Sequence, residues 1–152
     1  MNREDFTVTI RHMETRDTAY VAELERKVFS QPWSEKAFKD TIGNDDYIYI
    51  VAEHENSVVG YVGCIVSADG ADITNIAVAE DYRRMGIAEE LLRQTEILLL
   101  GRGVSALYLE VRQSNAGAQK LYARNGFSQT GIRRNFYRKP LEDALLMAKK
   151  LQ

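Results

Sequence analysis

A strand, a helix and a second strand follow one another between Ala71 and Val111, and that succession limits the fold more than any other stretch of the chain. Ala71 to Val78 reads as a strand. After Gly86 the period changes, and Ile87, Leu91, Thr95 and Leu98 mark one face of an amphipathic helix that ends near Leu100, with Gly101 as its C-terminal stop. Ala106 to Val111 returns to strand. A helical crossover brings the chain back in the same direction, so these two strands are expected side by side and parallel.

The flanking segments add antiparallel pieces. Phe6 to Ile10 alternates apolar and polar residues as a short strand does, and Tyr20, Val21, Leu24 and Val28 recur at helical spacing within Asp17 to Phe29. Pro32 breaks the chain, and Ser34 is the N-cap of a second helix that carries Ala37, Phe38 and Ile42 toward the core. Tyr47 to Glu53 and Val58 to Ser67 read as strands, with turn signals at Glu55-Asn56-Ser57 and Ala68-Asp69-Gly70. Ser114 or Asn115 caps a further helix through Ala118, Leu121 and Tyr122, which stops at Asn125-Gly126. Phe127 to Tyr137 and Asp143 to Leu151 read as two strands around a Pro140 loop. The expected class is mixed α/β: a mostly antiparallel sheet of seven strands with a central parallel pair and four helices.

With 152 residues, 45% of them hydrophobic and 28% charged, the chain has the size and composition of one domain, expected over residues 1–152. Disordered and low-complexity classes are excluded. The longest apolar stretch, Val58 to Val66, is far short of the ~20 residues of a spanning helix, and the acidic start Met1 to Asp5 has no secretory character, so a cytoplasmic protein without a membrane partner is expected. Cys64 is the single cysteine and cannot form an intrachain disulfide; with only His12 and His54 as further soft ligands, no metal is expected. Residues 1–76 carry 7 basic and 14 acidic groups and residues 77–152 carry 13 and 8, so the halves differ in sign. No helix-turn-helix or basic stripe points to nucleic acid.

The chemistry concentrates where the strand ending at Val78 runs into Arg83-Arg84-Met85-Gly86-Ile87-Ala88, which opens directly into a helix. The first turn of a helix offers free N–H groups and the positive end of its dipole, and Gly86 and Ala88 lack the bulk that would hold an anion off. Arg83 and Arg84 add charge at the same place. Neither a Walker motif nor the three-glycine dinucleotide pattern is present. A plain turn beside two solvated arginines is the competing reading.

This hexamer resembles the acyl-CoA signature of the GNAT superfamily of N-acetyltransferases: Gln or Arg, two residues, Gly, one residue, then Gly or Ala. Leu107-Tyr-Leu-Glu110-Val-Arg-Gln-Ser-Asn115 and Leu121-Tyr122 with Gly126-Phe127 are similar to blocks of its RimI branch, the ribosomal-protein alanine N-acetyltransferases. The Phe29-to-Ser34 loop and the ending from Ile132 to Ala144 extend the likeness over nearly the whole chain. Gly117 inside a helix and the N-terminal strand depart from it. The resemblance implies a sheet splayed open where acetyl-CoA enters, with its pyrophosphate on backbone amides from Arg83 to Ala88. It also implies a pantetheine arm lying along Ile76, Ala77 and Val78 as an extra strand would. The acceptor it implies is the N-terminal alanine of the eighteenth small-subunit ribosomal protein.

An α-amino group with a pKa of about 7.7–8.0 is mostly protonated at neutral pH and needs a base before it can attack a thioester. Glu110 interrupts an apolar strand, and alternation sends it to the face opposite Leu107, Leu109 and Val111. The residues leave open a base or an exposed glutamate on a one-sided sheet, and the resemblance implies the base. Tyr122 is either packing or a phenol able to protonate a departing thiolate; the resemblance implies the acid. Asn115 can hold the cofactor arm, cap its own helix, or do both. Trp33 and Tyr137 are placed at the acceptor mouth, with core packing as the competing reading. Cys64 sits in an apolar run with no histidine near in sequence, which favours direct transfer over an acyl-cysteine. Two alternatives stand beside this activity: an enzyme of the same superfamily for another terminus or a small amine, and an acyl-CoA-binding module without catalysis.

Overall fold

The computed structural model describes residues 7–151. Its elements are β1 (Thr9–His12), α1 (Thr18–Val28), α2 (Glu35–Thr41), β2 (Tyr47–His54), β3 (Ser57–Ser67), β4 (Gly70–Val78), α3 (Ile87–Gly101), β5 (Ala106–Arg112), α4 (Ala116–Arg124), β6 (Ser128–Arg138) and β7 (Leu141–Lys150). One seven-stranded sheet runs in the order β1-β2-β3-β4-β5-β7-β6, and only the β4–β5 pair is parallel. The expected class and the parallel centre are therefore found.

Helices cover both faces. On one side α3 and α4 pack on Ile48, Ile50, Val62, Ile73, Leu107 and Leu109; on the other, α1 and α2 pack on Tyr49, Val51, Tyr61 and Ala77. Strands buried on both faces read as apolar runs, which is why β2 and β3 show little alternation. Leu91, Leu92 and Leu99 of α3 are fully buried, each worth about 1.5–3 kcal/mol of removal from water. Ser34 caps α2 as expected, accepting from the Ala37 N–H at 3.1 Å.

Three boundaries differ from the sequence reading. The first strand is Thr9–His12, two residues beyond the expected end, held by pairing with Val51 and Ala52 of β2; Phe6 lies outside the described residues. Gly101 does not stop α3 but is its last helical residue, and the left-handed residue behind the stop is Gly103, with φ +79°. The Pro140 loop is only a two-residue turn, so β7 starts at Leu141.

One irregularity organises the centre of the sheet. Gly63 pairs with Asn75 but Cys64 with Ile73, so Thr74 is an extra residue on β4. Such a bulge bends its strand, adds twist and shifts side chains between faces. Before it, Ala71 and Ile73 face α3; after it, Ala77 faces α1 while Ile76 and Val78 face α3. Unbroken alternation would have put Ala77 on the same face as Ala71 and Ile73.

Candidate active site

The bent end of β4 leaves its neighbour. Parallel pairing with β5 is confined to Ala71–Leu107 and Asp72–Tyr108, while β5 continues to Arg112 paired on its other side with β7. A gap therefore opens between β4 and β5 from Ile73 onward. Ala79 donates its N–H to Val59 of β3 at 2.8 Å, so alternation turns the polar backbone of Ala77 toward β3 and that of Ile76 and Val78 toward the gap. The Val78 carbonyl also accepts from Arg83 Nε at 3.1 Å, which folds the Arg83 side chain back onto the strand end.

The gap leads to the start of α3. Gly86 is the N-cap at φ +81°, no side chain caps the helix, and a Cβ built on Gly86 would meet no protein atom within 4 Å. The N–H groups of the first turn are thus free and the approach to them is open. Arg84 is left-handed as well, at φ +64°. Of the six expected amides, that of Arg83 is already given to the Glu80 carbonyl at 3.3 Å, which leaves Arg84 to Ala88 for an anion. Met85 and Ala88 are half-buried and Ile87 is buried in the core.

Across the gap stands Glu110. It lies on the face opposite the buried Leu107, Leu109 and Val111, with its side chain 29% exposed and Arg133 Nη1 at 3.9 Å. Burial raises its pKa above the ordinary carboxylate value; the nearby Asp72 carboxylate raises it further, and Arg133 opposes both. Tyr122 is buried on α4, its ring 5.7 Å from that of Phe127. Burial, then Tyr137, push its phenol well above the ordinary value. The half-buried Tyr137 is itself raised by burial and then by Glu110. Tyr137 thus lies within electrostatic reach of both Glu110 and Tyr122.

Asn115 caps α4, its Oδ1 accepting from the Ala118 N–H at 3.1 Å, so the capping role is found. Trp33 is half-buried in the α1–α2 loop with its ring 5.5 Å from that of Phe38. Cys64 is fully buried, and burial pushes its thiol up to about 12, far from a usable nucleophile.

Sequence reasoning missed Arg112 and Glu25. The Arg112 guanidinium lies 4.2 Å over the Tyr137 ring and donates to Ser30 Oγ (3.0 Å), the Lys139 carbonyl (3.1 Å) and Glu142 (3.2 Å), joining the α1–α2 loop to the β6–β7 hairpin. Its place beside Glu110 in the strand block was the available signal. Glu25 falls on the apolar stripe of α1, four residues after Val21, where a carboxylate is out of place.

A sequence model of the acetyltransferase (GNAT) family matches residues 18–127. The chain belongs to that family. As a GNAT acetyltransferase it is 38% identical over 142 residues to the [ribosomal protein bS18]-alanine N-acetyltransferase of Escherichia coli K12, covering 92% of this chain and 95% of the relative. The protein of that name from Haemophilus influenzae is 34% identical over 142 residues, covering 91% and 96%. The crystal structure of the ribosomal-protein-S18-alanine N-acetyltransferase from Escherichia coli superposes with a TM-score of 0.87 at 36% identity, over 96% of this chain and 95% of that one. The family uses acetyl-CoA. The residues present fit such a group, since an open strand edge, an uncapped helix start and a glycine with clear space beside it lie in line.

No helix among the described residues is long and apolar enough to cross a membrane.

Proposed function

We propose that this GNAT enzyme acetylates the N-terminal alanine of ribosomal protein bS18, the eighteenth small-subunit ribosomal protein, using acetyl-CoA by direct transfer in a ternary complex in the cytoplasm. The observation that carries the proposal is the β4–β5 gap, which sets the edge of Ile76 and Val78, unpaired by any strand there, and the open start of α3 on one side and Glu110 on the other. The relatives' names and coverage support the acceptor. An acidic N-terminal half suits a basic peptide tail.

Acetyl-CoA, when bound, supplies an acetyl group activated as a thioester. The amides of Arg84 to Ala88 hold the pyrophosphate, and Ile76 and Val78 hold the arm by strand-like hydrogen bonds. Glu110 takes a proton from the acceptor ammonium, directly or through one water; its raised pKa makes it the stronger base. Tyr122 stays protonated and gives a hydrogen to the departing sulfur, whose conjugate acid is near the ~8.5 of a free thiol. Asn115 orients the arm where it enters the gap. Trp33 and Tyr137 flank the peptide.

Acetyl transfer to short peptides beginning with Ala, Ser, Met or Gly, compared with free lysine and polyamines, tests the acceptor. The Ala peptide carrying the bS18 terminus is expected to react fastest; reaction of the small amines alone overturns the proposal.

The cofactor loop is tested by Gly86→Val. A β-branched residue resists φ +81°, at a cost of roughly 1–2 kcal/mol for the left-handed backbone, so acetyl-CoA affinity should fall about five- to thirtyfold with the peptide KM unchanged. Calorimetric titration with acetyl-CoA reads this directly, and wild-type affinity in the variant would remove Gly86 from the site.

The pH profile has a stated sign. Because Glu110 acts as the anion and its pKa is raised, kcat should fall as pH drops through that raised value. A rate that stays flat down to the ordinary carboxylate range argues against a base at this position.

A further inference from the structure

Glu25 is 1% exposed on the α1 side of the sheet, and a carboxylate taken out of water is costly unless its oxygens are well bonded. Its Oε2 accepts from the Trp33 backbone N–H at 2.7 Å, the Asn75 amide donates to both oxygens at 3.2 Å, and the Tyr61 hydroxyl donates to Oε1. None of these donors is cationic, so the group is held by geometry and not by charge pairing. Its partners come from three places: the α1–α2 loop, β3, and β4 immediately before Ile76. An apolar residue would fill the same space at less cost. What a carboxylate adds is a fixed distance between the Trp33 backbone and the strand that borders the gap. The bulge at Thr74 is what turns Asn75 toward α1 and makes the link possible. The Trp33 ring then rests on Phe38, whose edge meets Tyr49 and Tyr61. At its other end the same loop is tied by Arg112 to Ser30.

We propose that Glu25 is a positioning residue for the acceptor: by holding the Trp33 backbone against β4 at Asn75 it fixes the α1–α2 loop as one wall of the acceptor mouth, and so sets peptide affinity without touching the acetyl donor. The inference rests on reading Trp33 as an acceptor contact.

Trp33 is the single tryptophan, so its fluorescence reports the loop directly. Glu25→Gln places an amide donor against donors. It should raise KM for a bS18 N-terminal peptide by roughly ten- to a hundredfold, the scale of one lost hydrogen bond to a charged group, with kcat and the acetyl-CoA KM held. Trp33 emission should shift to the red and become more open to acrylamide quenching. A merely structural role would lower Tm without this split. The double variant Glu25→Gln/Asn75→Asp returns a carboxylate to the cluster from the β4 side and should recover much of the peptide affinity. If Glu25→Gln does not fold, Tyr61→Phe, which removes one donor, should move peptide KM and emission the same way by less.

A folded variant with unchanged emission and peptide KM overturns the inference, as does an equal rise in the acetyl-CoA KM. Trp33→Ala separates the two levels. If it leaves peptide KM unchanged, the acceptor reading of Trp33 falls and the inference with it. If it raises peptide KM while Glu25→Gln does not, the inference alone falls.

Discussion

Glu110→Gln is expected to lower kcat by about 10²–10⁴-fold near neutral pH, the scale of a lost general base, while acetyl-CoA binds almost as before. The amide keeps the size and position of the side chain on β5, so the strand and its pairing with β7 are not disturbed. What disappears is the proton acceptor. The wild-type rate should decline as acid protonates Glu110, beginning above the ordinary carboxylate range because burial and Asp72 raise the pKa and Arg133 only partly offsets them. In the variant that limb should vanish, and the remaining rate should follow the free-amine fraction, rising toward pH ~8. Turnover against pH, with calorimetry for the donor, reads both parts. Unchanged turnover would take Glu110 out of the mechanism.

Tyr122→Phe is the second large effect, with an expected loss of about 10²-fold in kcat, at the lower end for proton transfer because a thiolate leaves more readily than an alkoxide. The ring contact with Phe127 is apolar and survives the change, so Tm should move little. Burial and Tyr137 hold the phenol protonated far above neutral pH, so the acid form is present throughout the working range and the loss should be pH-independent. An acyl donor whose leaving group is acidic enough to depart without a proton would erase the difference. Wild-type kcat in the variant would return Tyr122 to the role of packing, which its burial also supports.

The candidate site was legible wherever its geometry depends on neighbours in sequence. Arg83 to Ala88 could be read because a strand end, a small residue and a helix start occupy consecutive positions, and Glu110 because strand alternation fixes its face. Capping by Ser34 and Asn115 is equally local. Other features were not legible. Gly101 looked like a helix stop because glycine permits one, yet the chain stays helical until the left-handed turn at Gly103. The expected strand from Phe6 was displaced because its position is set by pairing with β2, which propensity does not encode.

Sequence by itself determined the order of elements, the parallel pair, the glycine-entered start of α3 and the inert Cys64, because each follows from periodicity, turn chemistry or composition over a few residues. Only the tertiary structure decided where the sheet opens. The Thr74 bulge is a mismatch between two strands, invisible in either one, and it turns Asn75 toward Glu25, bends β4 from β5 and so makes the gap. Arg112 and Glu25 acquire their hydrogen-bond partners at sequence separations of 27 to 82 and 8 to 50 residues respectively, distances over which only the folded backbone brings groups together.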